Sequence, residues 1–196
     1  MIFNFIYNKL IIVWNMYRLR LLHVPFGKKL RIRGNIGLQI HNAGKMSMGN
    51  NVTISSGNMS NPMGRNIKAF IRVDRDATLT IGNNVGMSSV TIWCSESITV
   101  GDNVKVGALT IISDTDAHSI NPIFRSNPDT DAKNAKHSPI VIKKNAFIGA
   151  MCFIGKGCCI GENSIVGAGS IVTKNIPDNE IWAGNPAKFI KRIDIE

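Results

Sequence analysis

From residue 147 onward apolar and small residues recur every six positions, and the chain divides without remainder into FIGAMC, FIGKGC, CIGENS, IVGAGS and IVTKNI. Ile148, Ile154, Ile160, Val166 and Val172 fall in one column. Gly149, Gly155, Gly161 and Gly167 follow four of them, and Cys152, Cys158, Ser164, Ser170 and Ile176 stand four places after each. A helix repeats at 3.6 residues and a half-buried strand at 2, so neither produces this pattern. One flat strand plus one corner does. Three such faces close a triangular coil of about 18 residues, and stacked coils form a parallel β-solenoid with one inward aliphatic per face. The small residue lets the backbone turn each corner.

A longer cassette carries the period upstream: MGNNVTI from Met48, IGNNVGM from Ile81, VGDNVKV from Val100, IKKNAFI from Ile142 and IGENSIV from Ile160. Successive starts are 33, 19, 42 and 18 residues apart. Subtracting a coil of about 18 leaves one insertion before Ile81 and a longer one between Ile112 and Ile140. This predicts an all-β solenoid over 34–176 with an inserted loop at 113–139, an N-terminal segment 1–33 and a C-terminal cap 177–196. Both ends of a solenoid expose strand edges that need covering. The apolar segment 1–24 can cover the first coil, with Ile6, Leu10, Val13 and Tyr17 on one helical face. At the far end Pro177 and Pro186 stop the strand pattern, and AKFIKRI is expected to close it as a short helix.

The chain has 196 residues, 44% of them hydrophobic and only 7% aromatic, as suits one domain with a core of many thin aliphatic layers. Its net charge of +10 is unevenly placed. Residues 1–73 hold eleven Lys and Arg and no Asp or Glu. Such a segment attracts polyanions, and with the apolar helical face it suggests peripheral association with an anionic membrane. No nucleic-acid-binding motif accompanies the charge. Lys9 and Arg18 interrupt the apolar run, so neither a spanning helix nor a signal peptide is expected, and a cytoplasmic setting follows. Cys94, Cys152, Cys158 and Cys159 form no CxxC pair, and Cys152 and Cys158 fall on the inward small position as packing residues.

The long insertion concentrates Asp114, Asp116, Asp129, Asp131, His118 and His137. A histidine two residues after an aspartate suits general-base chemistry, because one ring nitrogen must be held by an acceptor for the other to take a proton. His118 and His137 on adjacent coils also allow a zinc site of the carbonic-anhydrase kind. That site wants a third histidine, and only His23 and His41 remain, far upstream, so no metal is expected. A non-catalytic scaffold binding glycan or lipid through the basic segment is the other alternative.

The run FIGAMCFIGKGCCIGENSIVGAGSIVTKNIPDNEIWAGNPAKFIKRI, with DTDAH upstream, resembles the hexapeptide-repeat acyltransferases, in particular the sugar and polysaccharide O-acetyltransferase branch, over roughly 46–192. The resemblance implies a left-handed parallel β-helix, a homotrimer, and acetyl-CoA lying in a groove between subunits as co-substrate for a sugar or polysaccharide acceptor. It implies His118 as base, with Asp114 or Asp116 orienting it or touching acceptor. It places coenzyme contacts at Ala150, Ala168, Thr173, Lys174, Lys188 and Lys191, and the two last lysines suit the coenzyme's phosphates. Phe147 stands where many members have Trp. Met87, Ser88 and Ser89 stand where galactoside-type members carry an acceptor-binding Asn, so the acceptor implied is not that of the galactoside-type enzymes, while Asp114, Thr115 and Asp116 before the histidine resemble members that decorate surface polysaccharide or its precursor.

Overall fold

The computed structural model describes residues 2–57 and 61–194, with side chains from Lys9 onward, so the expected role of Ile6 lies outside the described residues. Three parallel sheets form the faces of a triangular solenoid. The first face runs Arg31–Arg33, Thr53–Ser55, Gly86–Ser88, Lys105–Val106, Phe147–Ile148, Ile165–Val166 and Glu180–Ala183. The second runs from Gly37–Ile40 through Phe70–Val73, Thr91–Cys94, Ile111–Ser113 and Phe153–Ile154 to Ile171–Val172. The third runs from Lys45–Met48 through Thr78–Ile81, Ser97–Val100 and Ile140–Ile142 to Cys159–Ile160.

Because successive coils pair in register, each inward aliphatic stacks on the one below. Ile32, Ile54, Met87, Val106, Ile148 and Val166 make one such buried column. Each full burial of an Ile or Val contributes about 1.5–3 kcal/mol, so stability accumulates coil by coil. Cys152 and Cys158 are buried at the small position, where their thiols approach the carbonyls of Gly167 and Val172.

The corner between the third and first faces carries an asparagine column: Asn51, Asn84, Asn103, Asn145, Asn163 and Asn179 all have φ between 56° and 61°. Asparagine tolerates this left-handed conformation better than other residues with a side chain. Each amide also donates to the next along the stack at 2.7–3.0 Å.

The two expected insertions emerge at different corners. The first leaves at Gly57 between the first and second faces, where Asn61 caps the short turn Pro62–Gly64. Residues 114–138 leave between the second and third faces, and their ends are tied by the antiparallel bridge Thr115 to His137. Two boundaries move. Arg31–Arg33 already pairs with Thr53–Ser55, so the solenoid begins inside the segment assigned to the N-terminal cap, and at its end it continues past 176 to Ala183. The C-terminal segment is also corrected, because Lys188–Arg192 is a strand antiparallel to Glu180–Ala183 and not a helix. The last coil leaves a row of unpaired backbone groups, and extended KFIKR satisfies them where a helix would not.

At the other end the helix Ile2–Leu21 lies over the first coil, through fully buried Leu19 and Asn15 and not through the face named from the sequence, whose Leu10, Val13 and Tyr17 are exposed. No helix among the described residues is long and apolar enough to cross a membrane.

Candidate active site

The inserted loop is built around two short helices, Pro122–Arg125 and Pro128–Asn134. Asn121 and Asn127 cap them, each accepting a backbone N–H two residues on, with proline at the first helical position. The second helix presents Asp131 to the start of the loop. His118 Nδ1 lies 2.6 Å from Asp131 Oδ2, and the Ser119 N–H donates to Asp131 Oδ1 at 2.7 Å. A ring nitrogen this close to a carboxylate carries the proton, so Nδ1–H donates, and in the neutral form of the ring Nε2 holds the lone pair. The His118 side chain is 69% exposed and that of Asp131 13%, so the imidazole faces solvent from a shielded anchor. The His118 hydrogen bond, reinforced by the Ser119 N–H, holds the Asp131 carboxyl below the usual carboxylate range.

Neither Asp114 nor Asp116 orients the histidine. Asp114 is fully buried beneath the loop and accepts the N–H groups of Ser95, Glu96 and Ser97 at 2.6, 2.9 and 2.8 Å. The corner of the preceding coil leaves those donors pointing inward, and a carboxylate is what satisfies them. Asp116 turns to the next coil and pairs with Lys156 Nζ at 2.7 Å, which fastens the loop to the solenoid. Asp131 takes the orienting role in their place. Its signal in the sequence was only membership of the acidic loop, since thirteen residues separate it from His118 until the helices fold it back.

The positions expected to hold coenzyme fall in two groups. Ala150 and Ala168 stack at the corner between the first and second faces, where a Cβ on Gly149 would lie 2.5 Å from the Ala168 nitrogen. Only glycine permits that approach, which lets successive coils close up at this corner. Lys188 pairs with Ala183 at the same corner one coil on, whereas Lys191 pairs with Ile181 farther along the first face. Thr173 and Lys174 follow the second-face strand Ile171–Val172 and are exposed at the opposite edge of that face, the edge from which the His118 loop emerges. The missed cation is Arg65, which joins Ala150, Met151 and Pro62 around a cleft of about 200 Å³ at the first of these corners. Nothing in its sequence neighbourhood signalled it. This corner of small residues, with Arg65 in its cleft and Lys188 one coil on, fits an extended thioester cofactor bearing phosphates.

His137 lines a separate cleft of about 190 Å³ between the loop and the second face, together with Trp93, Arg72, Ala117 and Ala132. There the Arg72 guanidinium lies over the Trp93 ring, 4.4 Å from its centroid. Burial pushes the Asp74 carboxyl up, but hydrogen bonds from Ser95, Trp93 and Arg72 outweigh it and leave the group below its ordinary value. Among the described residues no three His, Cys, Asp or Glu side chains converge as metal ligands.

Residues 139–174 match the family model described as bacterial transferase hexapeptide (six repeats). WbbJ of Escherichia coli K12, named for O-acetyl transfer in lipopolysaccharide biosynthesis, is 28% identical over 80% of this chain and 76% of its own length. An N-acyltransferase of Bacillus cereus, AntD, solved with dTDP-4-amino-4,6-dideoxyglucose and coenzyme A, superposes with a TM-score of 0.71 at 22% identity, covering 92% of this chain and 90% of its own. A maltose O-acetyltransferase from Clostridium difficile 630 superposes at 0.58 with 25% identity, covering 90% and 73%. With the six-residue period, the three parallel faces and the match through the last coils, the chain has the left-handed parallel β-helix fold, carries bacterial transferase hexapeptide repeats over 139–174 and is similar to the hexapeptide-repeat acyltransferases.

Proposed function

We propose that this enzyme transfers an acetyl group from acetyl-CoA to a hydroxyl of a sugar in a surface polysaccharide or its precursor, in the cytoplasm, with His118 as general base. The observation that carries the reading is the His118 to Asp131 contact, which fixes the tautomer and leaves Nε2 open to solvent. His118 Nε2 takes the acceptor's proton as its oxygen attacks the thioester carbonyl. The tetrahedral adduct then collapses, the carbon–sulfur bond breaks, and the imidazolium returns its proton to the departing thiolate, so no acyl-enzyme is required. Base assistance contributes about 10²- to 10⁴-fold, and holding both reactants contributes more. Asp131 stabilises the imidazolium without being protonated itself.

Ala150, Ala168, Thr173, Lys174, Lys188 and Lys191 are assigned to coenzyme binding, with Arg65 added beside Ala150. The cleft at Trp93 and His137 is assigned to the acceptor, since an aromatic ring next to the loop suits the apolar face of a sugar. A homotrimer completes the site in this reading. Ala150 and the loop stand at opposite edges of one face, so packing copies around a threefold axis supplies the loop of one copy to the corner of the next. Incubation with acetyl-CoA and a panel of sugars and nucleotide sugars, followed by thiol release and product mass, tests the assignment. Acceptor-dependent release with an acetylated product is expected. Coenzyme binding without transfer to any acceptor would favour the glycan-binding scaffold.

A further inference from the structure

The N-terminal helix has two unlike faces. Asn15 and Leu19 lie on one side, fully buried, and the Asn15 amide donates to the Ile32 and Gly34 carbonyls at 3.1 and 2.9 Å. Arg18 donates to the Ile36 carbonyl at 2.8 Å. These contacts cover the open edge of the first coil, and a helix with that task alone would turn a polar surface outward. At about 100° per residue, Leu10, Val13, Trp14, Tyr17 and Leu21 share the opposite side. They are 64, 64, 51, 51 and 60% exposed.

The stripe does not end with the helix. Leu21 and Leu22 also wall an apolar groove of about 560 Å³ that continues over Ile40, Met46 and Leu79. Lys45 and His23 line it too, and no carboxylate does. Charge then selects the occupant. The helix and the groove carry Arg18, Arg20 and Lys45 and no acidic residue, so a second copy laid on this face would set cation against cation. An anionic partner with an apolar interior is complementary to both features.

We propose that this face binds an anionic phospholipid surface, with the stripe immersed at the headgroup boundary and one acyl chain in the groove, its phosphate beside Lys45. The inference does not depend on the acyl-transfer reading, because its test reads binding without turnover. Together the two would hold the transferase beside an acceptor carried at a lipid surface.

The full-length protein is sedimented with vesicles of phosphatidylcholine alone or mixed with phosphatidylglycerol, and tryptophan fluorescence is followed with lipids brominated in their chains. Binding is expected only to the anionic vesicles, weakening about tenfold or more from low to high salt, with quenching that disappears in Trp14→Phe. The Leu10→Ser/Trp14→Ser variant should bind at least about tenfold more weakly while keeping the wild-type thermal unfolding and coenzyme affinity, since both side chains are exposed. Lys45→Glu should likewise weaken binding. No binding, equal binding to neutral vesicles, undiminished binding of the double variant, or a change in subunit number caused by it would overturn the proposal, the last assigning the stripe to another copy.

Discussion

Removing one rung of the asparagine column should destabilise the solenoid by an amount that divides into two separately measurable parts. Asn103 donates to Asn145 at 2.9 Å and accepts from Asn84 at 3.0 Å, at a φ of 61°. Both contacts are exposed, so each is worth the low end of the range for a hydrogen bond, about 0.5 kcal/mol, or about 1 kcal/mol for the pair. Asn103→Ala loses the pair and also holds an alanine in the left-handed region at a cost of about 1–2 kcal/mol, which totals about 2–3 kcal/mol. Asn103→Gly loses the pair without the steric cost, and its freer unfolded chain adds about 0.5 kcal/mol, giving about 1.5 kcal/mol. Urea unfolding at one fixed protein concentration reads both values, the fixed concentration making the proposed trimer act alike on every variant. Glycine should fall between wild type and alanine, about 1 kcal/mol above alanine. If Gly and Ala coincide, the left-handed backbone carries no cost. If Gly equals wild type, the ladder carries no stability.

Two further predictions rest on titrating groups. Under native conditions at pH 8, an alkylating reagent should modify Cys159 first and the other three thiols only on unfolding. Cys94 is pushed up to about 12, chiefly by burial with the Asp114 carboxylate adding to it, and burial also raises Cys152 and Cys158; peptide mapping showing early modification of Cys152 or Cys158 would contradict this. Asp131, Asp74 and Asp178 all titrate below the ordinary carboxylate value. A depressed native value gives stability that is fully present above the unfolded value near 3.9 and lost as pH falls through the native one. These contributions should therefore hold from neutrality to about pH 4 and fail only below it, as read by hydrogen exchange of the Ser119 amide for the loop and by thermal unfolding for the solenoid. Loss of Ser119 protection already at pH 5 would mean that Asp131 is not held as described.

The solenoid was legible because its cause is periodic. One aliphatic per face and one small residue per corner must recur every six residues, and Ile148 through Val172 show this without any knowledge of contacts. The asparagines were visible in the same cassettes, in NNV, DNV and KNA, but their role depends on a backbone dihedral and on neighbours a full coil away. The loop was legible as a loop and His118 as its candidate base, but the partner of His118 was not. Adjacency in sequence favoured Asp114 and Asp116 as partners of His118, yet Asp114 is consumed by the corner beneath it and Asp116 by Lys156. Asp131 reaches the ring only because Asn127 and Pro128 start a helix at the right point. KFIKR fits a helix or a strand equally well by composition, and the exposed edge of Glu180–Ala183 decides between them.

The central claim is that His118 takes the acceptor's proton, and the most direct measurement compares His118→Ala with wild type for acetyl transfer and for coenzyme A affinity on the same preparation. The account predicts a fall in kcat of about 10²- to 10⁴-fold with coenzyme A affinity unchanged within a few fold, and a smaller fall for Asp131→Asn, which leaves the imidazole in place but no longer fixes its tautomer. Undiminished transfer by His118→Ala would remove the histidine from the mechanism.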